Sequence, residues 1–167
     1  MREEIKHDFS RRERKTKTPE QALASLMRLC ARAEKSSGDA LRLMSGWGVQ
    51  PDDARKVLEK LLRERFIDDE RYAAAYVREK SGLNGWGTHK IRRMLVSKGV
   101  ARAVIDSALA AVDKGASVER LREMLGRKMR AVKTGDKYEL RGKLLRYGLG
   151  LGYDYEQVQD AVEQLVK

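Results

Sequence analysis

Apolar residues recur along this chain every three or four positions, the spacing of one face of a helix. Leu23, Leu26, Met27 and Cys30 follow Thr18-Pro19, a start signal whose proline occupies the first turn, and predict a helix to about Glu34. Ala40, Leu43 and Met44 follow Ser37 and stop at Gly46-Trp47-Gly48. Pro51 opens a third helix with Ala54, Val57, Leu58, Leu61 and Leu62 inward. The next stretch, Phe66 to Val100, has written boundaries. Asp68 is placed to cap a helix that carries Tyr72, Tyr76, Val77 and Lys80 on one side, with Ile67 and Tyr72 at staple spacing. Gly82 and Gly85-Trp86-Gly87 break it, and Thr88 is placed to cap a helix with Ile91, Met94 and Leu95 inward. Gly99 supplies the left-handed exit, followed by Val100.

These patterns repeat. Val49, Ala54, Val57, Leu58 and Leu61 return 51 residues later as Val100, Ile105, Ala108, Leu109 and Val112, and 53 later again as Tyr153, Val158, Ala161, Val162 and Leu165. Gly48, Gly99 and Gly152 precede the three sets. The last copy contains a long helix from about Ser117 to Val132 and another from near Asp136. A period of this length, each copy three helices, predicts an all-α, elongated array of three tandem three-helix repeats. The expected units are a flexible charged tail over 1–17 and repeats over 18–66, 67–113 and 114–167, with Lys114-Gly115-Ala116 the weakest joint. Gly148, Gly150 and Gly152 alternate through one helix end. At about 1 kcal/mol per interior glycine, they predict that this helix frays early.

Composition narrows the function. The 167 residues carry a formal charge of +11, which calls for an anionic partner. No apolar run is long enough to span a membrane, and the start of the chain lacks a signal peptide's apolar region, so a cytoplasmic location is expected. Cys30 is alone and sits in a helical pattern, as a core thiol does. His7 and His89 lie far apart with no cysteine near them, which argues against a metal. Asp68 and Asp69 precede a helix, where carboxylates are favoured by the dipole. Trp47 and Trp86 are placed to fill corners between helices. No catalytic constellation, phosphate loop or dinucleotide fingerprint is present; the expectation is a monomeric protein without cofactor, not an enzyme.

The basic residues are informative because they are segregated. Between Glu79 and Asp106 stand cations with no acid among them, and Arg120 to Arg146 is strongly basic, whereas Asp154, Glu156, Asp160 and Glu163 make the last helix acidic. The tail segment Arg11–Lys17 reads as a solvated arm. Charge and position together select a candidate binding surface: Arg78, Trp86, Lys90, Arg92, Arg93, Lys98, Arg102, Arg127, Lys128, Arg130, Lys133, Arg141 and Arg146. The middle helices begin HKIRR, DALR and YELRG, suited to backbone contact rather than base reading.

Two segments, FIDDERYAAAYVRE and GWGTHKIRRMLVSKGV, resemble the central signature of the RecX regulatory proteins. SSGDALRLMSGWGV and KLLRYGLGLGYDYEQVQDAV are similar, more loosely, to that family's first and third repeats. Arg65 stands where the family has a glycine, so the helix before it is expected to end without a left-handed residue. Leu149-Gly150-Leu151 replaces a basic stretch. The resemblance implies tandem three-helix repeats and a negative modulator of the RecA recombinase. Such a protein binds in the groove of the RecA–single-stranded DNA filament, inhibits ATP hydrolysis and strand exchange, and so regulates recombination and the SOS response. The alternative from the residues is an autonomous DNA-binding protein of architectural or repressor type.

Overall fold

The computed structural model describes residues 16–167, in which nine helices and no strand are found. The segment expected to be a flexible arm lies outside the described residues except for Thr16 and Lys17. Helices α1 (Pro19–Cys30), α2 (Ser37–Gly46) and α3 (Pro51–Arg63) form the first repeat. Helices α4 (Asp69–Gly82), α5 (Thr88–Ser97) and α6 (Arg102–Ala110) form the second; α7 (Lys114–Ala131), α8 (Lys137–Gly150) and α9 (Tyr155–Leu165) form the third.

Local chemistry sets the ends. Thr18 and Gln21 close a capping box on α1, which stops at Cys30, short of Glu34. Asp68 caps α4 by accepting from the Arg71 N–H at 3.0 Å. Thr88 does not cap α5; it is the first helical residue, and Gly87 stands at the cap without a side-chain bond. α7 starts three residues ahead of Ser117, because Asp113 accepts from the N–H groups of Gly115 and Ala116 and draws the expected weak joint into the helix. α8 runs unbroken to Gly150. Gly148 is required there by packing: a Cβ at this position would stand 2.5 Å from Val158 Cγ1. The expected absence of a left-handed residue before Phe66 is also overturned. Arg65 itself takes φ 59°, and its guanidinium pairs with Asp68 at 2.8 Å.

Each repeat has its own core. Leu26, Met44, Leu61 and Ile67 centre the first; Ile91, Leu95 and Ile105 the second; Leu121, Leu125, Leu144 and Val158 the third. Ile67 packs into the first core and Tyr72 into the second. Leu62, expected inward, is 40% exposed. Trp86 is the residue that packs against both the second and third cores. The repeats therefore stand in line rather than sharing one interior.

They are joined through the middle helices. The C-terminal turn of α5 meets the N-terminus of α2: Ser36 Oγ donates to the Lys98 carbonyl at 2.6 Å and Arg42 to the Ser97 carbonyl at 2.7 Å. Lys98 Nζ also lies 3.6 Å from Asp39, while Asp69 Oδ1 accepts from the Ser37 N–H at 2.8 Å. The turn after α8 meets the N-terminus of α5 in the same way. Gly87 N–H donates to the Leu151 carbonyl at 2.8 Å and His89 N–H to the Gly152 carbonyl at 3.1 Å, with the His89 ring against Asp154. These donations explain why α5 needs no side-chain cap. Glycines permit the approach: Gly48, Gly99 and Gly152 all take positive φ, and a Cβ on Gly99 would stand 2.7 Å from Gly38 Cα. The equivalent carbonyl in the first repeat, Trp47, accepts from the Lys17 N–H at 2.9 Å, and Lys17 Nζ lies 3.6 Å over the Trp47 ring.

Two kinds of outcome are expected, one from substitution at glycines and one from pH. Gly99→Val should cost about 3 kcal/mol in urea denaturation, combining left-handed strain with a clash. Gly142→Ala, whose Cβ meets nothing within 4 Å, should instead stabilise by up to about 1 kcal/mol. The second concerns pH. Burial alone would raise the Asp39 carboxyl, yet Arg42, Lys98 and Ser36 outweigh it and hold the group below its ordinary 3.8. A carboxyl depressed by folding stabilises above its unfolded value, and that contribution is lost as pH falls through the folded one. Asp39→Asn should therefore lower the urea midpoint at neutral pH, and its deficit should shrink below about pH 3.8 as the native carboxyl protonates.

Candidate functional site

The candidate surface centres on Trp86. Gly85, at φ 63°, brings the loop after α4 onto α7, close enough that a Cβ there would stand 3.1 Å from Met124 Cγ. Trp86 N–H donates to the Lys80 carbonyl at 2.9 Å and its ring is half-buried between two cores. Lys90 Nζ stands 4.2 Å from the ring centroid, and Lys80 Nζ stands 5.4 Å from both the Trp86 and Tyr76 rings. These separations allow attraction between cation and ring quadrupole, and they hold two ammonium groups beside an aromatic surface.

The rest of the second repeat is less free than its sequence implied. Asp106 folds back on the basic run: its carboxylate meets Arg92 at 2.5 Å and Arg102 at 3.9 Å. Lys98 is engaged by Asp39 in the joint. The expectation of an uncompensated basic side is corrected accordingly. Arg93 is exposed and makes no ion pair among the described residues. Arg78 lies apart, on a groove of about 690 Å³ among α4, α6 and α7 that Ala74, Ala108, Ala116 and Arg120 also line.

Free cations gather in the third repeat. Lys128, Lys133, Lys143 and Arg146 surround Tyr147 and Val132 in an open cleft of about 470 Å³ between α7 and α8. Lys128 Nζ is 5.4 Å from the Tyr147 centroid, and Lys143 is shared with Glu139 at 2.6 Å. The other predicted residues are placed differently. Arg127 Nη2 contacts Met124 Sδ at 3.4 Å, Arg130 is exposed on the last turn of α7, and Arg141 clasps the Val166 carbonyl at 2.7 Å. The selection of surface residues omitted Lys80, Lys143 and Tyr147. Lys143, Arg146 and Tyr147 sit at i, i+3 and i+4, a spacing that would have put them on one face of α8.

No group of three or more histidine, cysteine or acidic side chains able to hold a metal occurs among the described residues. Asp68 and Asp69 are occupied as caps of α4 and of Ser37 in α2. Burial pushes the Cys30 thiol up, away from the thiolate. Among the described residues no helix is long and apolar enough to cross a membrane.

Comparison with known proteins adds an independent line. A family model described as RecX, second three-helix domain, matches residues 68–109. Regulatory protein RecX of Clostridium botulinum (strain Eklund 17B / Type B) is 31% identical over 137 residues, 81% of this chain and 62% of that protein. Regulatory protein RecX of Mycolicibacterium vanbaalenii is 34% identical over 121 residues, 72% of this chain and 66% of that protein. The chain thus spans somewhat less than two thirds of the length of these relatives. The crystal structure of RecX from Lactobacillus salivarius superposes with a TM-score of 0.74 at 16% identity, covering 88% of this chain and 96% of that one. At that identity the likeness speaks for the fold.

Removing the Asp106 charge should expose the two arginines it holds. Asp106→Asn is expected to tighten binding to a duplex oligonucleotide and to steepen its salt dependence, by up to about 0.9 in log–log slope for each arginine freed. Fluorescence anisotropy across a salt series reads both quantities; an unchanged slope would mean that Arg92 and Arg102 do not face the polyanion.

Proposed function

The chain belongs to the RecX family of regulatory proteins, and from that membership we propose that it regulates the RecA recombinase. In this reading it lies in the helical groove of a RecA–single-stranded DNA filament in the cytoplasm. It bridges neighbouring protomers as a monomer, lowers ATP hydrolysis and strand exchange, and thereby restrains recombination and the SOS response. The observation that carries the reading is the in-line joining of three repeats, with the exposed cations that make no ion pair among the described residues most numerous on the third. The middle helices have 10, 10 and 14 residues. Laid end to end at 1.5 Å per residue they reach about 50 Å, long enough to touch more than one subunit of a polymer. A compact bundle of the same mass would touch fewer.

A second reading, DNA binding without RecA, is favoured by one feature, the cleft between α7 and α8 where Lys128, Lys133 and Arg146 make no ion pair among the described residues. The two separate in a single assay. A filament regulator inhibits the DNA-dependent ATPase of RecA at amounts far below one per RecA. A protein that merely covers DNA inhibits only as the lattice fills.

Lys90→Glu combined with Arg93→Glu should raise the concentration for half-inhibition of that ATPase at least tenfold, with circular dichroism unchanged. Wild-type inhibition in a normally helical double variant would remove this part of the surface from the mechanism. Absence of inhibition by the wild type at stoichiometric amounts would sink the regulator reading itself.

A further inference from the structure

The cations of the second and third repeats differ in kind. Those of the second are mostly committed: Arg92 and Arg102 to Asp106, Lys98 to Asp39, Lys80 to Glu79. Those of the α7–α8 cleft are not. Lys128, Lys133 and Arg146 are exposed and make no ion pair among the described residues, and Lys143 alone is shared with an acid. They come from two helices and the connection between them, and they converge on Tyr147. Three charges around one opening repel one another, and among the described residues only the Tyr147 ring beside Lys128 and the Glu139 carboxylate on Lys143 offset that cost. A surface that only had to be soluble would interleave more acids than the single Glu139 found here, as α3 does with Asp52, Asp53 and Glu64.

We propose that the cleft between α7 and α8 is a direct binding site for a run of phosphates in a single nucleic acid strand. The assignment rests on the reading of the second and third repeats as the working surface, and it names what one part of that surface holds. Lys128, Lys133 and Arg146 contact successive phosphates, and Tyr147 positions Lys128 through its ring at 5.4 Å. Spread over an open cleft of about 470 Å³, the charges suit a chain of anions passing through rather than a single phosphate. Arg146 can hold a phosphate with two donors in its planar fork, while the lysines act as point charges. No base edge is read, so binding is indifferent to sequence. Free oligophosphates share this chemistry and are the alternative source of the ligand.

The test uses the full chain without RecA. Anisotropy of a labelled oligo(dT) is followed across a salt series for the wild type and for K128Q/K133Q/R146Q. A control, K56Q/K60Q/R63Q, removes the same charge from α3. The cleft variant should bind at least tenfold more weakly at fixed salt. Its log–log slope should flatten by about 2, from about 0.7 per phosphate released. The control should lose much less. Equal losses in both variants would overturn the site in favour of bulk charge. Unlabelled tripolyphosphate is the source arm. If it displaces the oligonucleotide at equal phosphate concentration, a free oligophosphate is the ligand and the nucleic acid assignment falls; weak displacement supports a longer strand. ATPase inhibition is measured on the same preparations. A wild type that binds oligo(dT) through the cleft without inhibiting RecA defeats the regulator reading alone. A cleft variant that inhibits RecA and binds oligo(dT) like the wild type defeats this proposal alone.

Discussion

The fold depends on how the ends of three helices are satisfied. A helix leaves carbonyls unpaired at its last turn and N–H groups unpaired at its first, with partial charges of opposite sign. Here the last turn of one middle helix meets the first turn of another, so that α8, α5 and α2 follow one another C-terminal end to N-terminal end. The Lys98 and Leu151 carbonyls occupy equivalent places and accept from Ser36 Oγ and from Gly87 N–H respectively. Backbone meets backbone at both places, which is why glycines stand there: Gly38 on Gly99, and Gly87 on Gly152. Because the cores are separate, these few polar contacts and the packing of Trp86 decide how one repeat is oriented on the next.

Much of this was legible in the sequence. The three apolar sets and the glycines before them carried the repeat, and each of those glycines adopts the left-handed backbone that its position after a helix requires. The residues that the glycines meet were not legible. Gly38 and Gly99 are 61 positions apart, and nothing local in either segment indicates that they touch. The same separation hid the true cap of α5, which comes from the third repeat rather than from Thr88. Arg65 shows the opposite failure. An arginine in the place of the family's glycine argued against a left-handed residue, yet Arg65 is one, between α3 and Ile67, with the Asp68 ion pair alongside.

The candidate surface was less readable than the fold, and for a physical reason. Runs of sequence count charges, whereas a partner meets charges left over after pairing. Asp106 lies beyond the end of the basic run and yet neutralises members of it, while Asp39 reaches Lys98 from another repeat. Conversely, the α7–α8 cleft gathers Lys128, Lys133 and Arg146 from the basic stretch Arg120 to Arg146 around Tyr147, a ring that also packs against the third core. Exposed ion pairs contribute little to stability, so the pairing in the second repeat matters chiefly for what it leaves available. A net charge of +11 is consequently a poor guide to location: among the described residues, the cations left after pairing are most numerous toward one end of the array.

The contact of Lys17 with Trp47 has an evolutionary corollary. That carbonyl holds the place which, in the other two repeats, receives a neighbour, and here a short stretch of the same chain fills it. At the opposite extreme, α8 is capped by its own Asp136, and its first turn donates no backbone hydrogen bond to another repeat among the described residues. Lengthening by duplication is therefore directional: a unit added beyond α8 meets a helix start that no other repeat occupies among the described residues, whereas one added before α1 must first displace a segment already seated.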